Sequence, residues 1–384
     1  MPSVNHRGEY REVRTRLSIV IAIGLLAAAV GGLAAPAQSA TVYNVKTFGA
    51  KADGKTNDQA AFTKAIAAAA KAGGGVVYVP RGTYALRSVY LQSHVDVQIE
   101  GGTVFKVASG ATNNESVFYL AKQGVYTQQA AAASFVEDVS VEGVNGTFTV
   151  DLRSAPTTRN HAFTVIDVKG FSIANMNAMQ NNTNRSGRAP TSYSAVLTFQ
   201  SDSASKLTGT LYHPVNGTIS NIHVSQAPYG FGATQITSGS GLTFKNISSD
   251  GGVALRFETD ARYPSRVSAV NASAVSCTNG RAALVFSPHS QKNGDVHVTG
   301  LTAKSCEQGV RIAGDLKSSS GGNFTGATVS GVTVIGGPSA QVRDPKATDP
   351  SLGGWMIGHS TQCVNVDSRA HYTVKVTNVS CTGL

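Results

Sequence analysis

The 384-residue chain is 41% hydrophobic and only 14% charged, with 41 glycines, which excludes a disordered, charge-rich polymer and leaves a folded globular chain. Its 32 Lys and Arg against 22 Asp and Glu give a net charge of +10, which favours an acidic partner: a polyanionic polysaccharide, nucleic acid or an anionic membrane surface. The four cysteines, Cys277, Cys306, Cys363 and Cys381, all lie in the last third, and their meaning depends on the compartment.

The first 40 residues address the compartment. Arg11, Arg14 and Arg16 precede the apolar run Leu17 to Leu33, and small residues follow from Ala34 to Ala40. That order is the n-region, h-region and cleavage zone of a secretory signal, with Ala37, Ser39 and Ala40 as candidate cleavage points. The run is short for a membrane span. Removing residues 1 to 40 takes four Arg and two Glu and leaves +8. Export makes nucleic acid a poor partner, and the mature chain is expected to be secreted, extracellular, monomeric and without a membrane segment.

Residues 41–384 are expected to form one domain, with an N-terminal cap over about 41–85. Within it Asn57-Asp58 can cap a helix whose apolar stripe is Ala61, Phe62, Ala65, Ile66 and Ala69, stopped by Gly73-Gly74-Gly75. Such a helix would plug the open end of a solenoid. Two stretches interrupt the later pattern and read as loops: an insertion over 181–214, with Arg185, Arg188 and Lys206, and a C-terminal extension over 337–384, proline-rich up to 362.

Between them, short alternating β segments recur. Each bends at an Asn or Gly, residues that tolerate a left-handed backbone: Asn221, Asn246, Asn271, Gly300 and Gly331, at spacings of 25, 25, 29 and 31, with an earlier pair Gly143 and Asn175. These are coil lengths, and the fold class they predict is all-β, a single right-handed parallel β-helix. No sustained helical periodicity follows residue 75, and a sandwich would not echo at a coil-sized period. The segment from Phe48-Gly49 to Asp53-Gly54, the helix, and Gly74-Gly75 through Pro80-Arg81-Gly82-Thr83-Tyr84 resemble the N-terminal cap of the pectin-lyase-like superfamily of right-handed β-helices. That superfamily includes hydrolases, lyases and adhesins, so it implies fold and not reaction.

Stacked coils bring equivalent positions about 4.8 Å apart. Aligning Ala254 to Asp260 with Ala283 to His289, and then with Gly309 to Asp315, puts Leu255, Phe257, Leu284, Phe286, Val310 and Ile312 inside. Arg256, Glu258 and Asp260 then face outward. Counting from the turn residues gives an outward column Gln235, Asp260, His289 and Asp315, with Glu258 beside it and Ser287 and Ala313 in its own column.

Glu258 and Asp260, two residues apart on one strand, have Cβ atoms roughly 6.5–7 Å apart, nearer the ~6.5–9.5 Å of an inverting glycosidase pair than the ~5 Å of a retaining one. Gln235 and His289 would favour ionised Asp260 as general base, leaving Glu258 the easier carboxyl to keep protonated as general acid. Arg256 complicates this, since a close cation lowers the pKa of Glu258; it can instead hold a substrate anion.

The run Gly252 to Asp260, with Gln235 one coil before and His289 one coil after, resembles the active-site region of iota-carrageenases. The resemblance is strongest over residues 232 to 315. It implies endo-hydrolysis with inversion of the β-1,4 bonds of a sulfated galactan, with Glu258 as proton donor, Asp260 as base, Gln235 as a helper and His289 as a substrate contact, His297 being its rival. The chemistry implied needs no cofactor, though a structural calcium or sodium ion is compatible with it.

Arg256, Arg262, Arg281 and Arg311 suit a sulfated polysaccharide, because guanidinium groups bind such anions through paired donors. Ser287 stands with them as a contact, and Tyr229, Phe231 and Tyr263 flank the site as sugar-stacking candidates. Polygalacturonase motifs are missing. The alternatives are a polysaccharide lyase using Arg311 with Asp315 and Asp260, a polygalacturonase-like pectin-degrading enzyme, or a polysaccharide-binding β-helix without catalysis. Finally, the alignment that sets Ala272 on Leu301 sets Cys277 on Cys306 at a bridgeable distance, and Cys363 pairs with Cys381 by elimination.

Overall fold

A computed structural model describes residues 41–124, 134–157, 159–181, 194–203, 205, 210–259, 264–289, 291–314, 321–343 and 355–384. The signal segment, Asp260, Arg262, Tyr263 and Asp315 lie outside the described residues. The chain winds as a right-handed parallel β-helix. One sheet stacks Val168–Met179, the first half of Val215–Ile236, the first half of Gly239–Glu258, Val270–Thr278, Val296–Lys304, Thr328–Ile335 and Lys375–Thr382. A second sheet, which carries the candidate site, stacks His161–Val165, Leu197–Phe199, the ends of the two long strands, Ala282–Ser287, Gln308–Ile312 and Gln362–Val366.

The interior is a file of apolar side chains from successive coils. Phe257 stacks on Phe286 at 5.6 Å and Phe286 meets Phe324 at 5.1 Å; each fully buried Phe contributes about 1.5–3 kcal/mol. All six residues expected to face inward are buried.

At the N-terminal end the helix Gln59–Lys71 buries the expected stripe, Ala61, Phe62, Ala65, Ile66 and Ala69, and Phe62 meets Tyr84 edge-on at 5.4 Å. It closes an end that would otherwise expose the core to water. Its cap differs from expectation. Asn57 accepts from the Gln59 amide at 3.1 Å, while the Asp58 carboxylate turns away and accepts from Lys51 and Ala52 amides at 2.7 and 3.1 Å. Asp58 thus ties the preceding loop to the helix start.

The bends between sheets are held by a ladder. Asn246 donates to Asn221 at 3.0 Å, Asn221 to Asn175 at 2.9 Å, and Asn175 to the Gly143 carbonyl at 2.9 Å. Asn175, Asn221 and Asn246 have φ of 61°, 55° and 55°. The next rung is Ala274, φ 53°, not Asn271, which pairs with Thr243 inside a strand. The alignment is three residues off here. Cys277 therefore stands opposite Ala303, yet Cys277 and Cys306 are bridged, with Cα atoms 6.5 Å apart. The side chain spans a corner rather than one rung. Cys363 and Cys381 are also bridged.

The two expected loops contribute structure. Leu197–Phe199, inside the supposed insertion, is a rung of the site-bearing sheet. Ala340–Arg343 and Trp355–Gly358 form an antiparallel hairpin. Among the described residues no helix is long and apolar enough to cross a membrane.

Beyond the Leu197–Phe199 rung, Asp202 meets Asp167 in the interior of a turn; the two are 3% and 1% exposed and their carboxyls share a hydrogen bond. Burial, then the neighbouring Asp202 charge and hydrogen bond, push the Asp167 pKa up to about 8. A raised carboxyl pKa means that the folded state holds a proton the unfolded chain has lost above its own value of about 3.9. Stability therefore falls as pH rises from about 4 to 8 and levels off above that window. Asp167→Asn, which mimics the protonated form, should flatten that slope in urea unfolding at pH 5 and pH 9; an undiminished slope would place the proton elsewhere.

The ladder makes a second test. Asn221→Ala loses two amide hydrogen bonds and places an unsuited residue in the left-handed region, a cost of about 1–2 kcal/mol. Asn221→Gly retains the backbone freedom and should lose less. Equal losses in the two variants would remove the conformational part of the argument.

Candidate active site

Glu258 ends the long strand Gly239–Glu258, and its carboxylate is the point on which the neighbouring side chains converge. Arg256, two residues earlier on the same face, approaches Oε1 with Nη2 at 2.6 Å. Gln235 from the preceding coil donates its Nε2 hydrogen to Oε2 at 2.8 Å. His289, just past the strand Ala282–Ser287 of the next coil, sets Nε2 3.2 Å from Oε1. Ser287, directly opposite Glu258 in the register, lies 3.1 Å from the same His289 nitrogen and orients the ring. The side chain of Glu258 is only 15% exposed.

The expected column is corrected in one respect. Gln235 pairs with Arg256 and not with Asp260. The offset between the two long strands falls from 25 residues at Val224 to 21 at Gly232, so the earlier coil holds four extra residues between its turn and the site. They bulge outward and carry Tyr229 and Phe231. Gly232, at φ 154°, makes the bulge possible, since a Cβ there would sit 2.1 Å from the Val253 carbonyl oxygen.

Both aromatics of the bulge support cations. Phe231 lies under Arg256, with the guanidinium 5.4 Å from the ring centroid, and the Gly230 carbonyl accepts from Arg256 Nη1. Tyr229 is buried, stacks on Arg281 at 4.6 Å and donates to Glu307 at 3.0 Å. Neither ring presents itself as the sugar platform that its position in the sequence suggested.

The opposed influences on Glu258 are unequal. Burial is the largest single one and pushes the pKa up, but the Arg256 charge, then the His289 hydrogen bond and charge, outweigh it and hold the group at about 2. Glu258 is therefore ionised at neutral pH. Gln235 and His289, expected to serve Asp260, serve Glu258 itself, and Arg256 is in direct contact, so Glu258 is held as a carboxylate; Asp260, its expected partner, lies outside the described residues.

Arg311 follows Arg256 along the outward column with Val285 between them. Its Nη1 donates to Asn365 at 3.2 Å, and Nη2 is 3.7 Å from Asp367, which Arg369 also pairs at 2.9 Å. Arg311 is thus part of a separate ion-pair cluster. His297 lies on the other sheet, 2.8 Å from Thr328, so His289 is the histidine at Glu258. Among the described residues no group of three or more His, Cys, Asp or Glu is disposed to hold a metal ion.

Two supporting residues carried no sequence signal. Glu307 anchors Tyr229 and faces Arg281 at 4.0 Å. Gln341, on the hairpin, accepts from the Gly252 amide at 2.8 Å and donates to the Ala227 carbonyl at 3.0 Å, clasping the turn that precedes the site strand to the base of the bulge. Both act through residues a coil or more away, Glu307 through Tyr229 78 positions off and Gln341 through Gly252 and Ala227 89 and 114 off, beyond any local pattern.

The chain is 28% identical over 285 residues to an iota-carrageenase of Alteromonas macleodii, covering 72% of this chain and 54% of that protein. It is 30% identical over 246 residues to an iota-carrageenase of Zobellia galactanivorans, covering 62% and 46%. The chain spans about half the length of these curated relatives. Among solved structures, an iota-carrageenase complexed to iota-carrageenan fragments superposes with a TM-score of 0.76 at 22% identity, over 91% of this chain and 90% of that one, a likeness of fold. The family described as rhamnogalacturonase A/epimerase, pectate lyase-like, matches residues 42–311. That match spans well over half of the sequence, and the chain belongs to the rhamnogalacturonase A/epimerase, pectate lyase-like family.

Proposed function

We propose that the protein is a secreted, endo-acting glycoside hydrolase that cleaves β-1,4 linkages of a sulfated galactan, iota-carrageenan, with inversion. The observation that carries this reading is the convergence of Gln235, Arg256 and His289 on the nearly buried carboxyl of Glu258, in a chain similar to two iota-carrageenases. Residues 1–40 act as the export signal, and the net charge of +10 suits a polyanionic substrate.

In this reading Glu258 donates the proton to the leaving oxygen and Asp260 activates the water, the division of labour of an inverting pair. A proton donor must be protonated when substrate is bound, whereas Glu258 alone in the free protein is a carboxylate. Substrate supplies the difference. A sulfate ester offers Arg256 paired oxygen acceptors; as the guanidinium turns to it, the charge that depresses the Glu258 pKa withdraws and burial raises it. Gln235 and His289 keep the carboxyl aimed while its charge changes.

The direct test incubates the protein with iota-carrageenan and counts new reducing ends. Glu258→Gln and Asp260→Asn should each lower kcat by about 10²–10⁴-fold. Full activity in both would reject these roles, unsaturated products absorbing in the ultraviolet would indicate a lyase, and saturable binding without chain shortening would indicate an adhesin. The proton argument has its own readout. Carbon-13 titration of the Glu258 carboxyl should give a midpoint near 2 in the wild type and a clearly higher one in Arg256→Gln, since burial then meets less opposition. Equal midpoints would exclude Arg256 as the controlling charge.

A further inference from the structure

The outward column that carries Arg256 continues toward the N-terminus well past the active site. Arg256 pairs with Gln235, Gln235 with Thr198, Thr198 with Thr164, Thr164 with Tyr119, and Tyr119 with Tyr90. Five rungs at about 4.8 Å each place Tyr90 roughly 24 Å from Arg256 along the solenoid axis. Thr164 and Thr198 are buried, so the column is covered in its middle and surfaces again only at its end.

There it forms a groove of about 740 Å³ between the capping helix and the sheet, a volume within the range of about 300–1,000 Å³ typical of small-ligand sites. Tyr90 lines it, half-buried, with its ring stacked on Tyr119 at 4.5 Å and an interplanar angle of 14°. Tyr119 is held in turn, since its hydroxyl donates to the Asn114 carbonyl at 3.1 Å and accepts from the Ser116 amide at 3.2 Å. The upper ring is thus a braced platform. Around it stand Gln59, Gln92, Gln123, Ser93 and Lys122, and among the described residues no acidic side chain lines the groove. Amides and hydroxyls both donate and accept, as sugar hydroxyls require; the ring offers an apolar face for a pyranose, and Lys122 favours an anionic one.

We propose that this groove is a second, non-catalytic glycan site that holds a distant stretch of the same anionic polysaccharide chain cut at Glu258. The proposal rests on the hydrolase reading for the identity of the polymer. Two openings roughly 24 Å apart act together only on a chain long enough to reach both, so the second site raises the effective concentration of polymer at the first and does nothing for a short oligosaccharide.

Two measurements keep the readings apart. The first compares kcat and KM on polymeric iota-carrageenan and on its tetrasaccharide. Tyr90→Ala and Lys122→Gln should raise KM for the polymer by about three- to tenfold for Tyr90 and less for Lys122, with kcat unchanged, and should leave the tetrasaccharide constants as they are. Tyr90→Trp, which preserves a stacking face, should restore polymer KM. The second is electrophoretic retardation in gels containing iota-carrageenan, in the Glu258→Gln background so that the polymer survives. Retardation that weakens with Tyr90→Ala and recovers with Tyr90→Trp supports the site even if the wild type cleaves nothing, in which case only the hydrolase reading falls. Cleavage by the wild type with polymer KM and retardation indifferent to Tyr90, or an equal effect on polymer and tetrasaccharide, overturns the second site.

Discussion

Backbone hydrogen bonding between parallel rungs sets every distance on which the site depends. Because each rung lies about 4.8 Å from the next, a side chain at one height meets partners a whole coil away in sequence: Glu258 meets Ser287 and His289 on one side and Gln235 on the other. Glu258 and Gln235 are gathered by the strands themselves, and His289 by the turn that directly follows Ser287. The sheet presents Arg256, Gln235 and Glu258 on its outer face while its inner face is locked by Leu255 and Phe257 in the core. A one-residue slip would exchange the two faces, so the apolar file protects the chemistry as well as the fold.

Within that lattice the proton state of Glu258 is a contest between solvent exclusion and neighbouring charge. Burial favours the neutral acid, and Arg256 with His289 favours the carboxylate and prevails. The balance is sensitive to one guanidinium because so little water remains to screen it. Arg256 is itself steadied by the Phe231 ring and the Gly230 carbonyl, both belonging to the bulge. Under the proposed hydrolase reading, this balance would couple recognition of an anionic substrate to protonation of Glu258 without moving the backbone.

Departures from regular coiling do most of the shaping. Four extra residues before Gly232 bring Tyr229 and Phe231 beneath two arginines, and Gln341 clasps the base of that bulge to the turn before the site strand. At the N-terminal end, the capping helix that shields the core also forms one wall of the groove beside Tyr90. Elements needed for stability thus supply the surfaces available for binding.

The amphipathic stripe of the helix, the inward file from Leu255 to Ile312 and the pairing of Glu258 with Ser287 were legible in the order of residues, because each depends on a local period or on coils of matched length; the disulfide partners were named correctly, but Cys277 and Cys306 through an alignment three residues off and Cys363 and Cys381 by elimination. Gln235 was assigned to the wrong neighbour and Asn271 to the wrong rung for one shared reason: coil length varies by a few residues, and counting from one turn to the next carries that variation forward. Asp58 read as a cap and became a loop tie, since two amides outside the helix lay closer to its carboxylate. The Asp167 and Asp202 pair, Glu307 and Gln341 left no trace in any pattern. What the sequence determined by itself was the solenoid, its faces and the residues able to do chemistry, all of which follow from side-chain periodicity. Which donors surround Glu258, and therefore whether it carries a proton, only the tertiary structure decided, because charge and burial act through space between coils whose offset no single rung reveals.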